Sequence, residues 1–121
     1  MMPLSFTATN LFSLLEAATE SELDDCEFGV IGMDHEGRVE IYNRTESERA
    51  GLSQKRVVGR VFFKTVGICT NNALISGRMI AAAELDAFLD YVFTLRMKIT
   101  PVKLRLLKAS SSRRMYLLVQ R

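Results

Sequence analysis

Three side chains in this sequence are candidates for chemistry: Cys69, Tyr42 and Glu46. Cys69 stands in Gly67-Ile68-Cys69-Thr70-Asn71-Asn72, a stretch too polar for a strand and followed by a helix predicted from about Ala73 to Phe88. Backbone N–H groups and the positive end of a helix dipole at such a point favour the thiolate, the form in which cysteine acts as nucleophile or attachment group. A buried cysteine with a purely structural part is the other reading of the same spacing. Tyr42 and Glu46 lie four residues apart across a strand-to-helix junction, a turn short enough to bring both side chains to one point. Facing a pocket, a buried carboxyl beside a phenol has a raised pKa and donates a hydrogen bond near neutrality. Facing solvent, Glu46 merely caps Asn43, and Tyr42 is a half-buried strand residue. Cys26 is flanked by Asp24, Asp25 and Glu27, which raise its pKa and mark it as structural. The one histidine, His35, falls in a hairpin turn and is most simply solvated there, with haem ligation the lesser reading. A single histidine leaves zinc hydrolase chemistry close to excluded.

The elements that must position these groups follow from periodicity. From Thr9 to Leu23, Leu11, Phe12, Leu14, Leu15 and Ala18 mark one helical face, with Thr9 or Asn10 as cap and a second short turn over Ser21 to Asp24. Phe28 to Met33 is a compact apolar run, Asp34-His35-Glu36-Gly37 supplies a turn, and Val39 and Ile41 alternate with Glu40 and Tyr42, which together predict a β-hairpin. Asn43 with Glu46 three residues on is a capping-box pattern for a short helix that Gly51 ends, and Ser53 to Val58 is another helical turn. After the helix from Ala73, strands are predicted over Leu89 to Met97, Val102 to Ala109 and Met115 to Arg121. The result is an α+β chain with a five-stranded antiparallel sheet, helices on one side, an N-terminal helical cap over residues 1–26 and a globular unit over 27–121. The space between sheet and helices is the natural ligand position, and Phe62, Phe63, Tyr91 and Phe93 either line it or build the core.

With 121 residues, 48% hydrophobic and 25% charged, one domain with one real core is expected, and a two-domain enzyme is excluded. The net charge of +2 comes from interleaved signs and carries no nucleic-acid footprint. In the tail Lys103, Arg105, Lys108, Arg113, Arg114 and Arg121 alternate with apolar residues and read as a solvated strand face. No apolar run approaches the roughly 20 residues of a membrane helix, and no signal peptide is visible. With only two cysteines, a cytoplasmic, reducing location follows.

Read together, Phe28-Gly29-Val30-Ile31, Tyr42-Asn43 with Glu46, Gly51, the run Val57-Val58-Gly59-Arg60-Val61-Phe62-Phe63-Lys64, Cys69-Thr70, Asp90-Tyr91-Val92-Phe93 and Thr100-Pro101-Val102-Lys103 resemble the photoactive yellow protein family, small bacterial blue-light receptors with a PAS fold. The resemblance implies 4-hydroxycinnamic acid (p-coumaric acid) bound as a thioester to Cys69, its phenolate held by Tyr42 and Glu46, in a pocket to which Phe62, Ala50, Leu52, Tyr91, Phe93 and Met97 correspond. It further implies isomerisation on illumination, proton transfer from Glu46 and release of the N-terminal cap as the signal, with no enzymatic turnover. The signal then passes to an unidentified downstream protein; monomer or weak homodimer, no nucleic acid and no membrane complete the expectation. The chain departs from the family pattern at Ala50, where a threonine usually supports the tyrosine, at Leu52, where an arginine usually covers the pocket, and at Ile68, where a proline usually precedes the cysteine. Either Met97 or Ile99 falls at the loop position that tunes dark recovery in the family. Two other classes of function stay open: a chromophore-free PAS interaction or dimerisation module, favoured by Ala50 and Leu52, and a redox sensor built on Cys69.

Overall fold

Two short amphipathic helices, α1 (Leu11–Ala17) and α2 (Glu20–Asp24), lead the chain in a computed structural model that describes residues 4–94 and 97–121. The apolar face expected over Thr9 to Leu23 is divided between these two helices, and the second short turn expected over Ser21 to Asp24 is α2, which starts at Glu20 because Thr19 caps it. The Thr19 hydroxyl accepts from the Glu22 N–H at 3.2 Å while the Glu22 carboxylate accepts from the Thr19 N–H at 3.1 Å. A capping box of this kind satisfies two orphan donors and makes a restart cheaper than a continuous helix.

β1 (Gly29–Asp34) and β2 (Val39–Tyr42) form the expected hairpin, with Ile31 opposite Tyr42. The Asp34 carboxylate accepts from the N–H groups of Glu36 and Arg38, and Gly37 takes the positive φ of 90° that closes the turn. His35 is half-buried there, its Nε2 without a partner among the described residues, rather than fully solvated. α3 (Arg44–Ala50) and α4 (Gln54–Val57) follow, then a π-helical turn over Phe62–Val66, a 3-10 turn over Ile68–Thr70, and α5 (Ser76–Ala81).

The long helix predicted from Ala73 to Phe88 is therefore one of six residues. Its last four residues belong to β3 (Leu85–Phe93), in which Leu85, Ala87, Leu89 and Tyr91 are half-buried while Asp86, Phe88, Asp90 and Val92 are exposed. That period of two is the strand signal, and the alanine run at 81–83 masked it. The predicted third strand, Leu89 to Met97, is displaced: β3 starts four residues earlier, at Leu85, and ends at Phe93, and residues 95 and 96 of the predicted span lie outside the described residues. β4 (Thr100–Lys108) and β5 (Arg114–Gln120) each begin one or two residues before their predicted starts. All neighbours are antiparallel and the order is β2-β1-β5-β4-β3, which is the PAS fold.

The two faces of the sheet carry separate apolar clusters. On one, Ile31, Met33, Leu104, Leu106, Leu117 and Val119 pack under the crossover between β2 and β3, with Tyr42, Phe62, Phe63, Met79 and Phe93. On the other, Val30, Tyr116 and Leu118 are covered by Phe6, Leu11, Leu15 and Leu23 of the N-terminal cap. Two cations of the tail are buried structural groups, correcting the solvated-face expectation. Arg105, 2% exposed, binds both Asp86 oxygens at 2.9 Å and the carbonyls of Phe6 and Ala8 at 2.9 and 2.7 Å, so it ties the cap to β4. Lys108, 7% exposed, donates to the carbonyls of Met79 and Ile80 at the C-terminal end of α5, where a cation is favoured.

Candidate functional site

Tyr42 ends β2 and Asn43 begins the turn into α3. The Asn43 Oδ1 accepts from the Glu46 N–H at 3.1 Å, which is half of the expected capping box. The other half is missing: the Glu46 carboxylate does not return to Asn43 but turns inward, and both Tyr42 and Glu46 are 3% exposed. The surface-cap reading of Glu46 is thereby excluded. Burial pushes the Glu46 carboxyl up from its ordinary range, against the downward pull of Arg121 and Arg49. Burial also pushes the Tyr42 phenol up, the nearby Glu46 charge adding to it and Arg121 opposing. The Tyr42 backbone carbonyl accepts from Gln54 Nε2 at 2.8 Å.

Asn43 holds this junction in place through four hydrogen bonds. Its Oδ1 also accepts from the Val30 N–H at 2.9 Å, and its Nδ2 donates to the carbonyls of Leu23 at 2.8 Å and Phe28 at 3.1 Å. One buried amide thus joins the cap, β1 and α3.

Cys69 is half-buried on the 3-10 turn and packs with Leu52, Val66 and Tyr91 against the same apolar cluster that contains Tyr42, Phe62 and Phe93. Its carbonyl accepts from the Tyr91 hydroxyl at 2.6 Å, and that hydroxyl in turn accepts from Asn72 Nδ2 at 2.7 Å. Tyr91, reaching back from β3, fixes the turn that carries the thiol. The helix dipole expected at Cys69 is absent: the Asn72 Oδ1 collects the N–H groups of Leu74 and Ile75, and α5 begins only at Ser76. Cys26 is buried, and desolvation with Asp25, Asp24 and Glu22 pushes its thiol up to about 11, in keeping with a structural part.

Phe62 is buried in edge-to-face contact with Phe63, ring centroids 5.4 Å apart. The Gly67 N–H reaches five residues back to the Phe62 carbonyl at 2.8 Å, and a side chain at Gly67 would overlap the Phe62 ring. Gly67→Ala is expected to displace that ring and to cost about 1–3 kcal/mol of stability by overpacking, which urea unfolding of the two proteins measures. Phe93 is buried 6.2 Å from the Tyr91 ring, with the Arg121 guanidinium 5.6 Å from its own centroid. Leu52 packs on the cluster and Ala50 is half-buried at the end of α3. Met97, at φ 61° and fully exposed, is not brought to the site, and Ile99 is also exposed.

Sequence reasoning missed Arg121, 75 residues from Glu46 along the chain, which binds its carboxylate with Nη1 at 2.8 Å and Nη2 at 3.4 Å. Only the strand order reveals the pairing, because Val119 of β5 lies opposite Gly29 of β1. No group of three or more His, Cys, Asp or Glu side chains among the described residues has the arrangement of a metal site, and no described helix is long and apolar enough to cross a membrane.

No family model matches the chain. It is similar to the photoactive yellow protein of Rhodothalassium salexigens, 30% identical over 124 residues that span 100% of this chain and 99% of the relative. The photoactive yellow protein of Halochromatium salexigens is 33% identical over 107 residues, 86% of each chain. Among solved structures, the photoactive yellow protein domain of the sensor histidine kinase Ppr from Rhodospirillum centenum matches with a TM-score of 0.83 at 34% identity, covering 90% of this chain and 98% of that one. A PAS domain of an HTR-like protein from Haloarcula marismortui, at 14% identity and a TM-score of 0.66 over 94% of this chain and 98% of that one, shares the fold alone.

Proposed function

Because the chain belongs to the photoactive yellow protein family, we propose that it is a blue-light photoreceptor carrying 4-hydroxycinnamic acid as a thioester on Cys69. The observation that carries this reading is the buried Tyr42 side chain, next to a buried carboxyl and on one apolar cluster with a half-buried thiol. A flat ligand with a reactive acyl end and a phenol tip complements that set. The group, when bound, supplies a light-driven double-bond isomerisation and a phenolate that accepts a proton.

The protein's own residues do the rest. Cys69 gives the attachment sulfur, and Tyr91 with Asn72 holds its turn rigid. Tyr42 and a protonated Glu46 donate the hydrogen bonds that keep a buried phenolate ionised against a reference phenol pKa of about 10. A negative charge added at that end pushes the already raised Glu46 further toward its neutral form. Phe62, Phe93 and Leu52 exclude water from the set. When Glu46 gives up its proton, a buried carboxylate appears two hydrogen bonds from the cap, by way of its own N–H, Asn43 and the Leu23 carbonyl. Until Arg121 pairs with it, that charge loads the Asn43 hub and releases residues 1–26 as the signal, which a separate cytoplasmic signalling protein reads. The cycle has no turnover, so the protein is not an enzyme.

A chromophore-free interaction module is the second reading, favoured by the Glu46–Arg121 ion pair, which satisfies the acid with no ligand at all. The test is an absorption spectrum after incubation with activated 4-hydroxycinnamic acid. A visible band that bleaches under blue light and recovers in the dark is the expected result; no band leaves the interaction module as the better account.

A further inference from the structure

The acid of the site is paired in a way that its work as a neutral donor does not call for. Arg121, its side chain 17% exposed, inserts between the Glu46 carboxylate and the Phe93 ring, so its guanidinium is held by a two-point ion pair on one side and a π-face on the other. The place of the carboxylate is built into β1: a Cβ at Gly29 would overlap Oε1 of Glu46 and drive it out. The charged and titratable groups that act on Glu46 are Arg121 beyond β5, Arg49 on its own helix, and Tyr42 on β2. Two of the three are guanidinium groups, which keep their charge at every accessible pH. Leu52, half-buried over the same cluster, brings no charge.

We propose that Arg121 is a positioning residue that sets the charge of Glu46: it holds the carboxylate in the chromophore-free chain, lets it go when Glu46 takes up a proton, and recaptures it when that proton leaves. The first step is a property of the protein alone, and the other two rest on the photoreceptor reading. The proton balance is simple. Glu46 would take up the proton given by the incoming group's phenol and exchange its ion pair with Arg121 for a hydrogen bond that it donates, so that no proton would be drawn from solution. After illumination Glu46 would give that proton back, and the ion pair with Arg121 would re-form around its carboxylate. Arg121 therefore opposes loading and stabilises the bleached state.

The test follows Glu46 by carboxyl NMR in the chromophore-free protein with labelled glutamate, assigned with Glu46→Gln, in wild type, Arg121→Gln and Arg121→Lys. In Arg121→Gln the Glu46 midpoint moves up by about one pH unit or more, because removing an opposite charge that a neighbour feels directly has that size of effect. Arg121→Lys, a single point charge without the fork, falls between the two. In loaded protein, Arg121→Gln recovers from a blue flash about tenfold faster, the same one unit expressed as a rate. Coincident midpoints in the three proteins overturn the proposal whatever the colour, and equal recovery rates overturn the recapture. A midpoint that moves while no variant takes up colour sinks the photoreceptor reading and leaves the pairing in place.

Discussion

Cys69→Ala protein is expected to stay colourless and to gain no mass on incubation with activated 4-hydroxycinnamic acid, whereas the wild type gains one cinnamoyl group and a visible band. The chain has two cysteines, both free, and their surroundings divide the chemistry between them. Acyl transfer needs the thiolate. At Cys26, burial and three neighbouring acids push the thiol up to about 11, so at neutral pH only ~1 in 10,000 molecules presents a nucleophile there. Cys26 also donates to the Glu22 carbonyl at 3.5 Å, inside the cap. Cys69 is half-buried, on a turn clamped from behind by Tyr91, so its sulfur is offered at a fixed point beside the apolar cluster. The difference between wild type and Cys69→Ala is accordingly all or nothing, and Cys26→Ala keeps full colour. Intact mass before and after hydroxylamine, which cleaves thioesters, reads the outcome without depending on the spectrum. A Cys69→Ala protein that colours, or a label found on Cys26, would overturn the assignment of the attachment residue.

The parts of this site legible in the sequence are those set by neighbours in the chain. Asn43 as the cap of α3, Gly51 in the left-handed conformation at its end, and the hairpin turn at Asp34 to Gly37 follow from local hydrogen bonding and steric rules, and the structure has them. The four-residue interval between Tyr42 and Glu46 is local in the same sense, though it left two orientations open, and only the fold turns Glu46 inward. What stayed hidden depends on pairing across the sheet. Lys108 and Arg105 look like the exposed half of an alternating strand until α5 and the N-terminal cap are seen to cover them. Arg121 is a lone cation in a basic tail until β5 is placed between β1 and β4. The alanines at 81–83 carry strong helix propensity and mask the alternation of the edge strand that follows them, which its ladder with β4 decides. The thiol's surroundings differ for a local reason: the helix predicted to start at about Ala73, just past Cys69, begins only at Ser76, because the Asn72 Oδ1 collects the N–H groups of Leu74 and Ile75 first.

Asn43→Ala should cost about 3–5 kcal/mol and free the cap at its α2 end before any other part of the molecule opens, since each buried group left unpaired costs roughly 1–3 kcal/mol and partial relaxation recovers some of it. The side chain is 1% exposed and makes four bonds, to the N–H groups of Val30 and Glu46 and the carbonyls of Leu23 and Phe28. Water does not readily reach these positions in the folded chain, so the loss is not repaired from solvent. Asn43→Asp is not a rescue: it keeps one acceptor oxygen but sets a second against the Leu23 and Phe28 carbonyls, and it buries a charge in the turn that holds Glu46. It is expected to be at least as destabilised as the alanine variant, most of all at high pH. Two of the cap's anchors, at its opposite ends, predict where opening begins. Residues 6–8 are held by Arg105 through the Phe6 and Ala8 carbonyls and do not depend on Asn43, whereas α2 is tied to the sheet side by the Leu23 carbonyl. In native-state hydrogen exchange, the amides of Leu23, Asp25 and Cys26, protected by bonds of 3.0–3.3 Å within α2 and its end, should lose protection in Asn43→Ala while the β4 and β5 amides retain theirs. If instead all amides lose protection together, Asn43 stabilises the whole fold and is not a joint between Glu46 and the cap, and the route proposed for the signal is wrong.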